Sequence, residues 1–568
     1  MDSSRVHPEL TGAVRWDWTL LALTVLAGLV SIIFILDITK YPDPVWRFEI
    51  FRYLLREHDL AGSALVICIA IAAYLPRTRS AALDLVEALA RHAWPVAAAV
   101  FVGLCVAMLT VVQNHPLAGD EALALFQSKA FAAGRLTGQF PPDLFFHLIP
   151  GQYQEKWLIA AETTGTVASV YWPGFALLLA PFSLTGAPWA CNPLLASLSL
   201  VLMAKVAIRL TGTSQAGGWA MLFALGSPGF TAMALSYFSM TAHLLLNLLF
   251  AWLLLERSFR RLILAGVVGS FALVQSNPVP HILFALPWIV WLARRADGRR
   301  NMLALAAGYA PLSLLLGFGW WIFLRELRGQ SFVVPYPSDA NPLHRVANLL
   351  WYLHIQFRMV FDFPDSSTIS RRLAEQVKLW SWAVPGLPLL ALAGWWLGRR
   401  IVEAKLLALS LLSTLLGYLL VNFGQGWGWG ARYVHSAWSA LPILAAIAMV
   451  SIRDTDGGAR LRSYVARAAA LSLVLGTALR FTQIHQFMED HLSVRPPFEK
   501  GVRQIVFITH DWDYYTQDFV QNDPFLRDPV IFMMSRGAEG NYENVIRKRF
   551  PQAQLTYDGP NGQVWRLE

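Results

Sequence analysis

Two neighbouring carboxylates, Asp120 and Glu121, interrupt a chain that is otherwise dominated by apolar stretches. They follow the apolar run Trp94–Val112, which is long enough to cross a bilayer. Because a carboxylate at mid-bilayer costs roughly 3 kcal/mol, we expect the pair at the membrane edge or in a watered cavity, where it can accept a proton or help hold a cation. The structural alternative is that acidic residues in a first helical turn offset the helix macrodipole.

The residues after this pair predict a short amphipathic helix that lies along the membrane interface. Leu123, Phe126 and Ala130 recur with helical spacing, and Gly134 can end the helix in a left-handed conformation. Lys129 falls about two and a half turns beyond the pair. It is either a solvated residue of the helix face or a ligand for an anion.

A second candidate is the glycine- and tryptophan-rich stretch from Gln425 to His435, which contains Arg432 and Tyr433. Its glycines permit close backbone approach or positive φ, and its tryptophans suit a membrane interface. Arg432 is predicted on the outer side, against the trend that keeps cations inside, and its planar fork suits phosphate oxygens. We favour anion binding over the alternative of a snorkelling membrane anchor.

The remaining candidates are weaker. His243 lies near a predicted outer turn, where a histidine more often packs than binds a ligand. The first long loop contains three further carboxylates, Asp143, Glu155 and Glu162. Each could act as a second acid or as a metal ligand, but a structural role is the simpler interpretation. The sequence has no GxSxG, Walker or HExxH motif that would support a hydrolase, ATPase or protease.

The composition predicts a mainly α, polytopic membrane protein. Of its 568 residues, 55% are hydrophobic and 15% charged, a balance that soluble domains do not show. In a membrane protein, Lys and Arg residues mainly mark the cytoplasmic loops. The net charge of +9 is therefore no evidence for nucleic-acid binding. The three cysteines have no metal-ligand spacing, so neither a disulfide framework nor a zinc site is expected.

Thirteen apolar runs are long enough to be candidate spans. They are Trp18–Leu36, Leu60–Leu75, Trp94–Val112, Asn192–Ile208, Gly218–Leu235, Ala242–Leu255, Leu262–Gln275, Val279–Leu292, Leu303–Leu324, Trp380–Leu397, Leu406–Val421, Ala437–Val450 and Ala468–Phe481. Arginine- and lysine-rich short loops alternate with them in a way that places the N-terminus inside and the C-terminus outside. This assignment requires the short run Pro173–Leu184 to lie in the interface as a second helix of the loop 113–191.

The tail from residue 485 to 568 changes to a polar composition with short β-type runs, which predicts a small α/β domain on the outer side. The predicted strands are Gln504–Thr509, Val530–Met534, Gln554–Tyr557 and Gln563–Leu567, and the predicted helices are Tyr514–Val520 and Asn541–Phe550. The chain is thus divided into a two-span extension (1–93), a membrane module (94–484) and this domain. The extension has no predicted function.

These motifs together resemble the GT-C superfamily of membrane glycosyltransferases, which includes protein O-mannosyltransferases and lipid A aminoarabinose transferases. The resemblance covers roughly residues 94–450. The matching stretches are Gly119-Asp120-Glu121, the helix from Tyr171 to Phe182, Cys191-Asn192-Pro193 opening a span, Ser227-Pro228 closing the next, and Gln425 to Tyr433. Many relatives carry a second acidic residue in the next outer turn, but Ser236–His243 has none.

The resemblance implies a polyprenyl-phosphate-linked sugar as donor, used on the outer face by inverting transfer to an acceptor hydroxyl. Asp120 would be the general base, and Glu121 would orient the acceptor or help hold a divalent metal cation. Arg432, with Lys129, would stabilise the phosphate of the donor, while Tyr433, His435 and His243 would contact substrate. No nucleotide cofactor is implied.

The acceptor is a glycan, a lipid or a protein, and a bacterial inner membrane is the expected location, with the site facing the periplasm or exterior. Two other readings of the sequence remain. A transporter or flippase of lipid-linked glycans would use the same carboxylates to bind a headgroup or protons. Inverted repeats and broken helices at mid-membrane would favour this interpretation, but the sequence shows neither. A noncatalytic scaffold would explain the tail but leave both motifs without a role.

Overall fold

The protein is described here by a computed structural model. The described residues are 16–40, 50–76, 80–151, 153, 157–161, 163–328, 354, 357–358, 360–421, 428–452, 455–509, 518–534 and 542–567. Helices dominate these ranges, and small sheets lie in the first long loop and in the tail. The predicted fold class, a mainly α membrane bundle with a small C-terminal α/β domain, is confirmed.

The membrane part contains six helical stretches that are long and apolar enough to cross a bilayer: Trp16–Ile38, Ala93–Thr110, Pro188–Thr211, Gly298–Arg328, Val402–Leu420 and Asp456–Ser493. Further apolar helices are Leu60–Tyr74, Ser214–Leu225, Pro228–Ala234, Met240–Leu254, Phe259–Leu273, Val279–Ala293, Leu387–Leu397 and Ala440–Ser451. The chain is an integral membrane protein. The count of thirteen crossings and their sidedness stay predictions.

Several predicted spans differ from the observed helices for physical reasons. The run Gly218–Leu235 is two helices, because Pro228 has no amide hydrogen and Ser227 turns its hydroxyl to the Phe223 carbonyl (2.7 Å). The last span is longer than its apolar core and extends over Asp456–Ser493, with polar residues at both ends that a hydropathy criterion misses. Two helices with polar faces, Ala82–Arg91 and Ser366–Ser381, were not predicted.

The loop 113–191, named the first outer loop after its predicted side, contains both helices that the sequence predicts for it. They span Gly119–Ala132 and Gly174–Leu184, and Gly134 has the predicted positive φ of 70°. Between them lies an antiparallel sheet that the sequence did not predict, with β1 (Gly138–Gln139), β2 (Leu158–Ala161) and β3 (Thr166–Ser169) in the order β1-β3-β2. Its strands have two to four residues, too few to show a clear alternation.

The tail folds into a sheet whose order is β5-β4-β7-β6. Its strands are β4 (Gln504–Ile508), β5 (Val530–Met534), β6 (Gln554–Gly559) and β7 (Gly562–Arg566), with a helix at Tyr542–Arg549, as predicted. The predicted helix Tyr514–Val520 lies outside the described residues up to 517, and residues 518–520 are turn and coil. One apolar cluster joins this sheet to the first outer loop and contains Phe126, Phe145, Phe507, Met533 and Trp565.

A fully buried ionic cluster attaches the N-terminal extension to the membrane module. Asp59 accepts a hydrogen bond from Lys378 Nζ (2.7 Å) and lies 3.3 Å from Arg480 Nη2. Gly62, on the next turn, leaves room for that guanidinium, because a Cβ atom there would overlap it. The side chains of Asp59, Lys378 and Arg480 are at most 2% exposed.

We expect Asp59→Asn to destabilise the protein by about 3–5 kcal/mol, because it leaves two buried cations without their carboxylate. Thermal unfolding of the full chain in detergent measures this. Glu87→Gln is the matched control, since Glu87 forms an exposed pair with Arg91 and its loss should cost no more than about 0.5 kcal/mol. Equal stability of the two variants would contradict the structural role of the cluster.

Candidate functional site

Asp120 and Arg432, which are 312 residues apart in sequence, form an ion pair. One Nη of Arg432 donates to Asp120 Oδ2, and the phenol of Tyr171 donates to Oδ1 at 2.9 Å. The side chain of Asp120 is 20% exposed and that of Arg432 is 9% exposed. The structure therefore places an oriented, reachable carboxylate beside a fixed cation.

The backbone around Arg432 explains the glycines of its motif. Gly428 and Gly430 have positive φ angles of 110° and 73°, which residues other than glycine rarely adopt. Residues 422–427, including Gly426, lie outside the described residues. The Arg432 guanidinium lies 3.8 Å from the centroid of the Phe238 ring, which gives it a cation–π contact as well as its carboxylate.

The outer turn that carries Phe238 is held by the Asn-Pro motif of the preceding span. Asn192 Nδ2 donates to the backbone carbonyls of Ser236 (2.6 Å) and Phe238 (2.9 Å). Both buried carbonyl oxygens thus have a hydrogen-bond donor, and these bonds fix the turn against the start of that span. The turn contributes contacts to both motifs, although it contains no acidic residue.

Glu121 lies in a different environment from its neighbour. Its side chain is buried, and its carboxyl accepts a hydrogen bond from the backbone amide of Tyr237 at 2.6 Å. Burial raises the pKa of Glu121 to about 7, although that amide and Arg432 act in the opposite direction. The surroundings thus separate the two adjacent carboxyl groups: Asp120 is paired with a guanidinium, and Glu121 titrates near neutrality.

This pKa predicts a pH dependence of stability. The ordinary pKa of Glu121 is 4.5, and the folded carboxyl keeps its proton to about pH 7. The contribution of the neutral Glu121 carboxyl to the free energy of unfolding is therefore fully present below about pH 4.5. It is lost as the pH rises through 7, and the free energy of unfolding falls by about 3 kcal/mol. We expect the melting temperature of the wild type to fall relative to that of Glu121→Gln between pH 4.5 and 7. Parallel melting curves over this range would contradict the assignment.

A third carboxylate, Asp518, reaches the site from the C-terminal domain. It is fully buried, and the phenol of Tyr153 donates a hydrogen bond to its Oδ1. Burial, together with the charges of Asp120 and Glu121, raises the pKa of Asp518 well above its usual range. A Cβ at Gly119 would lie 2.9 Å from the Tyr153 hydroxyl, so this glycine allows the close approach. Sequence reasoning missed Asp518, since nothing local distinguishes it from a surface aspartate.

The other residues predicted for the site are not part of the Asp120–Arg432 ion pair itself. Lys129 pairs with Asp528 (3.4 Å). Tyr433 stacks on Tyr418 with centroids 4.6 Å apart, and its phenol is close enough to interact with the charges of Arg432 and Asp120. His243 and His435 are buried in the helical bundle.

Of the further carboxylates, Asp143 forms a half-exposed pair with Arg549 (3.6 Å), and Glu155 and Glu162 lie outside the described residues. Among the described residues, no group of three or more His, Cys, Asp or Glu side chains could hold a metal ion. The divalent cation stays a prediction.

No family model matches the sequence, and no curated protein matches it. Among solved structures, the chain is similar to ArnT from Cupriavidus metallidurans bound to undecaprenyl phosphate, with 12% identity and a TM-score of 0.48. It is also similar to the apo state of the same protein, with 11% identity and a TM-score of 0.45. Each alignment covers 82% of this chain and 97% of the other. At these values the likeness carries no conclusion about the reaction of this chain.

Proposed function

We propose that this protein is a GT-C-type membrane glycosyltransferase that moves a sugar from a polyprenyl-phosphate donor to an acceptor hydroxyl. The observation that carries the proposal is the Asp120–Arg432 pair, which places a proton acceptor and an anion-binding group side by side. Transfer from a lipid phosphate needs both, because the acceptor loses a proton while the leaving phosphate gains negative charge.

In the proposed reaction, Asp120 accepts the proton of the acceptor hydroxyl as its oxygen attacks the anomeric carbon. The bond between that carbon and the phosphate oxygen breaks, and the polyprenyl phosphate leaves with the bonding electrons. Attack from the face opposite the leaving group inverts the anomeric configuration. General-base assistance of this kind is worth about 10²–10⁴ in rate.

Arg432 serves the departing phosphate. A guanidinium has five N–H donors in a planar fork, more than the single carboxylate of Asp120 takes up. A phosphate oxygen beside Arg432 can share the guanidinium with Asp120, and Phe238 keeps the fork in place. Tyr171 holds the other oxygen of Asp120 and so orients the carboxylate toward the acceptor.

Glu121 is proposed to orient the acceptor or to help hold a divalent cation. Its contact with the Tyr237 amide also fixes the outer turn beside the pair.

We place the site on the extracytoplasmic face, at the surface of a bacterial inner membrane, because the basic short loops of the sequence predict the opposite side as cytoplasmic.

The proposal is tested with the purified full chain in lipid nanodiscs and a panel of polyprenyl-phosphate sugars. We expect release of polyprenyl phosphate, with transfer of the sugar to water or to an added glycan, lipid or protein acceptor. The anomeric proton of the product, followed by NMR, should show inversion. Intact donors across the panel, together with movement of lipid-linked sugar across proteoliposome membranes, would favour the transporter instead.

A further inference from the structure

A cavity of about 370 Å³ lies beside the acidic pair, between the first outer loop and the C-terminal domain. The loop contributes Asn114 and Lys129 to its lining, and the tail contributes Arg495, Phe519 and Gln521. Neither part encloses the space alone. The volume lies at the lower end of the range for small-molecule sites, which suits a phosphate with one sugar ring and excludes a long glycan.

The charge of the cavity is positive. Lys129 and Arg495 line it, and no carboxylate does so within the part of the chain that the structure describes. His115 also lines it, but burial lowers the pKa of that histidine well below its usual value and leaves it neutral. The cavity therefore offers two cations to whatever enters.

Arg495 is available to a ligand. Its Nε is buried and has no hydrogen-bond partner among the described residues, which is costly unless an anion or water fills the place. Its guanidinium lies 5.3 Å and 5.7 Å from the ring centroids of Phe498 and Phe519, so the side chain is held at the cavity wall. Lys129 pairs at 3.4 Å with the half-exposed Asp528, a contact of small energy that a stronger anion can replace.

Tyr237 connects the cavity with the proposed reaction centre. Its side chain lines the cavity, while its backbone amide donates to Glu121. On the tail side, Phe519 and Gln521 line the cavity shortly after Asp518, whose pKa is raised by burial and by the charges of Asp120 and Glu121. Tyr237 and the segment that begins at Asp518 thus connect the lining of the cavity with the acidic pair.

We propose that this cavity is a phosphate-ester subsite, completed by the C-terminal domain, in which Arg495 and Lys129 bind the phosphate. The inference builds on the proposed function and gives the tail a part in it. A guanidinium fork and an ammonium are the side chains that bind phosphate oxygens, and the apolar wall of Phe519 suits a sugar face or a prenyl carbon. The phosphate belongs either to the lipid donor or to a phosphorylated acceptor.

Binding to the full chain in nanodiscs tests the subsite without turnover. The two probes are polyprenyl phosphate in the bilayer and glucose 1-phosphate in solution. Arg495→Gln and Lys129→Gln are each expected to weaken binding about 10–100-fold. Arg566→Gln is the matched control, because Arg566 lies in the same domain, pairs with Glu499 at 2.7 Å and does not line the cavity.

The outcomes separate the two sources. Loss of polyprenyl phosphate binding in both cavity variants assigns the subsite to the donor. Loss of glucose 1-phosphate binding with unchanged lipid binding assigns it to a phosphorylated acceptor. Unchanged binding of both probes overturns the proposal. Asp120→Asn tests the reaction by turnover, and Asp120 does not line the cavity, so failure of the proposed reaction is distinguishable from failure of the subsite.

Discussion

Asp120→Asn is expected to lower the rate of sugar transfer by about 10²–10⁴ without unfolding the protein. The amide keeps the size of the carboxyl and can still accept the hydrogen bond from Tyr171, but it cannot take a proton from the acceptor. Because Asp120 is 20% exposed, the loss of its ion pair costs less stability than the loss of a fully buried pair. Transfer by the purified variant, with melting temperature as a check on folding, measures the effect.

Asp143→Asn is the matched control for this substitution. Asp143 belongs to the same outer loop and also pairs with an arginine, Arg549, but both side chains are about half exposed. We expect this variant to transfer sugar at the wild-type rate. Equal losses in the two variants would show that the effect at Asp120 is structural, and wild-type turnover in Asp120→Asn would refute its role as base.

Arg432→Gln is expected to lower the rate by about 10²–10³, the usual cost of removing one group that stabilises charge in the transition state. The effect should fall mainly on kcat, because the phosphate gains charge as the bond to the sugar breaks. Arg432→Lys should restore the reaction only in part, since an ammonium has no planar fork to share between Asp120 and phosphate.

Steady-state kinetics of the Arg432 variants measure this split. Arg549→Gln serves as the control, because its partner Asp143 lies in the same loop as Asp120 and its own pair is half exposed. A rise in KM with an unchanged kcat would show that Arg432 holds the donor equally in ground and transition states. Arg432→Gln with wild-type kinetics would remove Arg432 from the account.

Local sequence patterns were sufficient for most of the membrane helices, for the two helices of the first outer loop and for the strands of the tail. Hydropathy marks Trp16–Ile38 and Ala93–Thr110 within two residues of their ends, because bilayer-length apolar runs have few alternatives. The strand Val530–Met534 was predicted with the observed bounds. The sequence also singles out Asp120, Glu121 and Arg432, which the structure brings together, since a charge or a glycine-rich stretch stands out against apolar surroundings.

The parts that depend on long-range packing could not be predicted. Asp518 and Arg495 approach the first outer loop only because an apolar cluster docks the tail against it. No spacing in the sequence relates them to Asp120. The same is true of the buried Asp59 cluster, whose partners lie 319 or more residues away. It gives the N-terminal extension a structural role that its sequence does not indicate.

The most direct test of the central proposal is a time course of polyprenyl phosphate release from a polyprenyl-phosphate sugar. Wild type and Asp120→Asn are compared in the same nanodiscs, with an acceptor hydroxyl or water. The proposal predicts release by the wild type, with inversion at the anomeric carbon, and a rate at least about 10²-fold lower in the variant. Equal release by the two proteins would contradict the assignment of Asp120 as the general base of a glycosyltransferase.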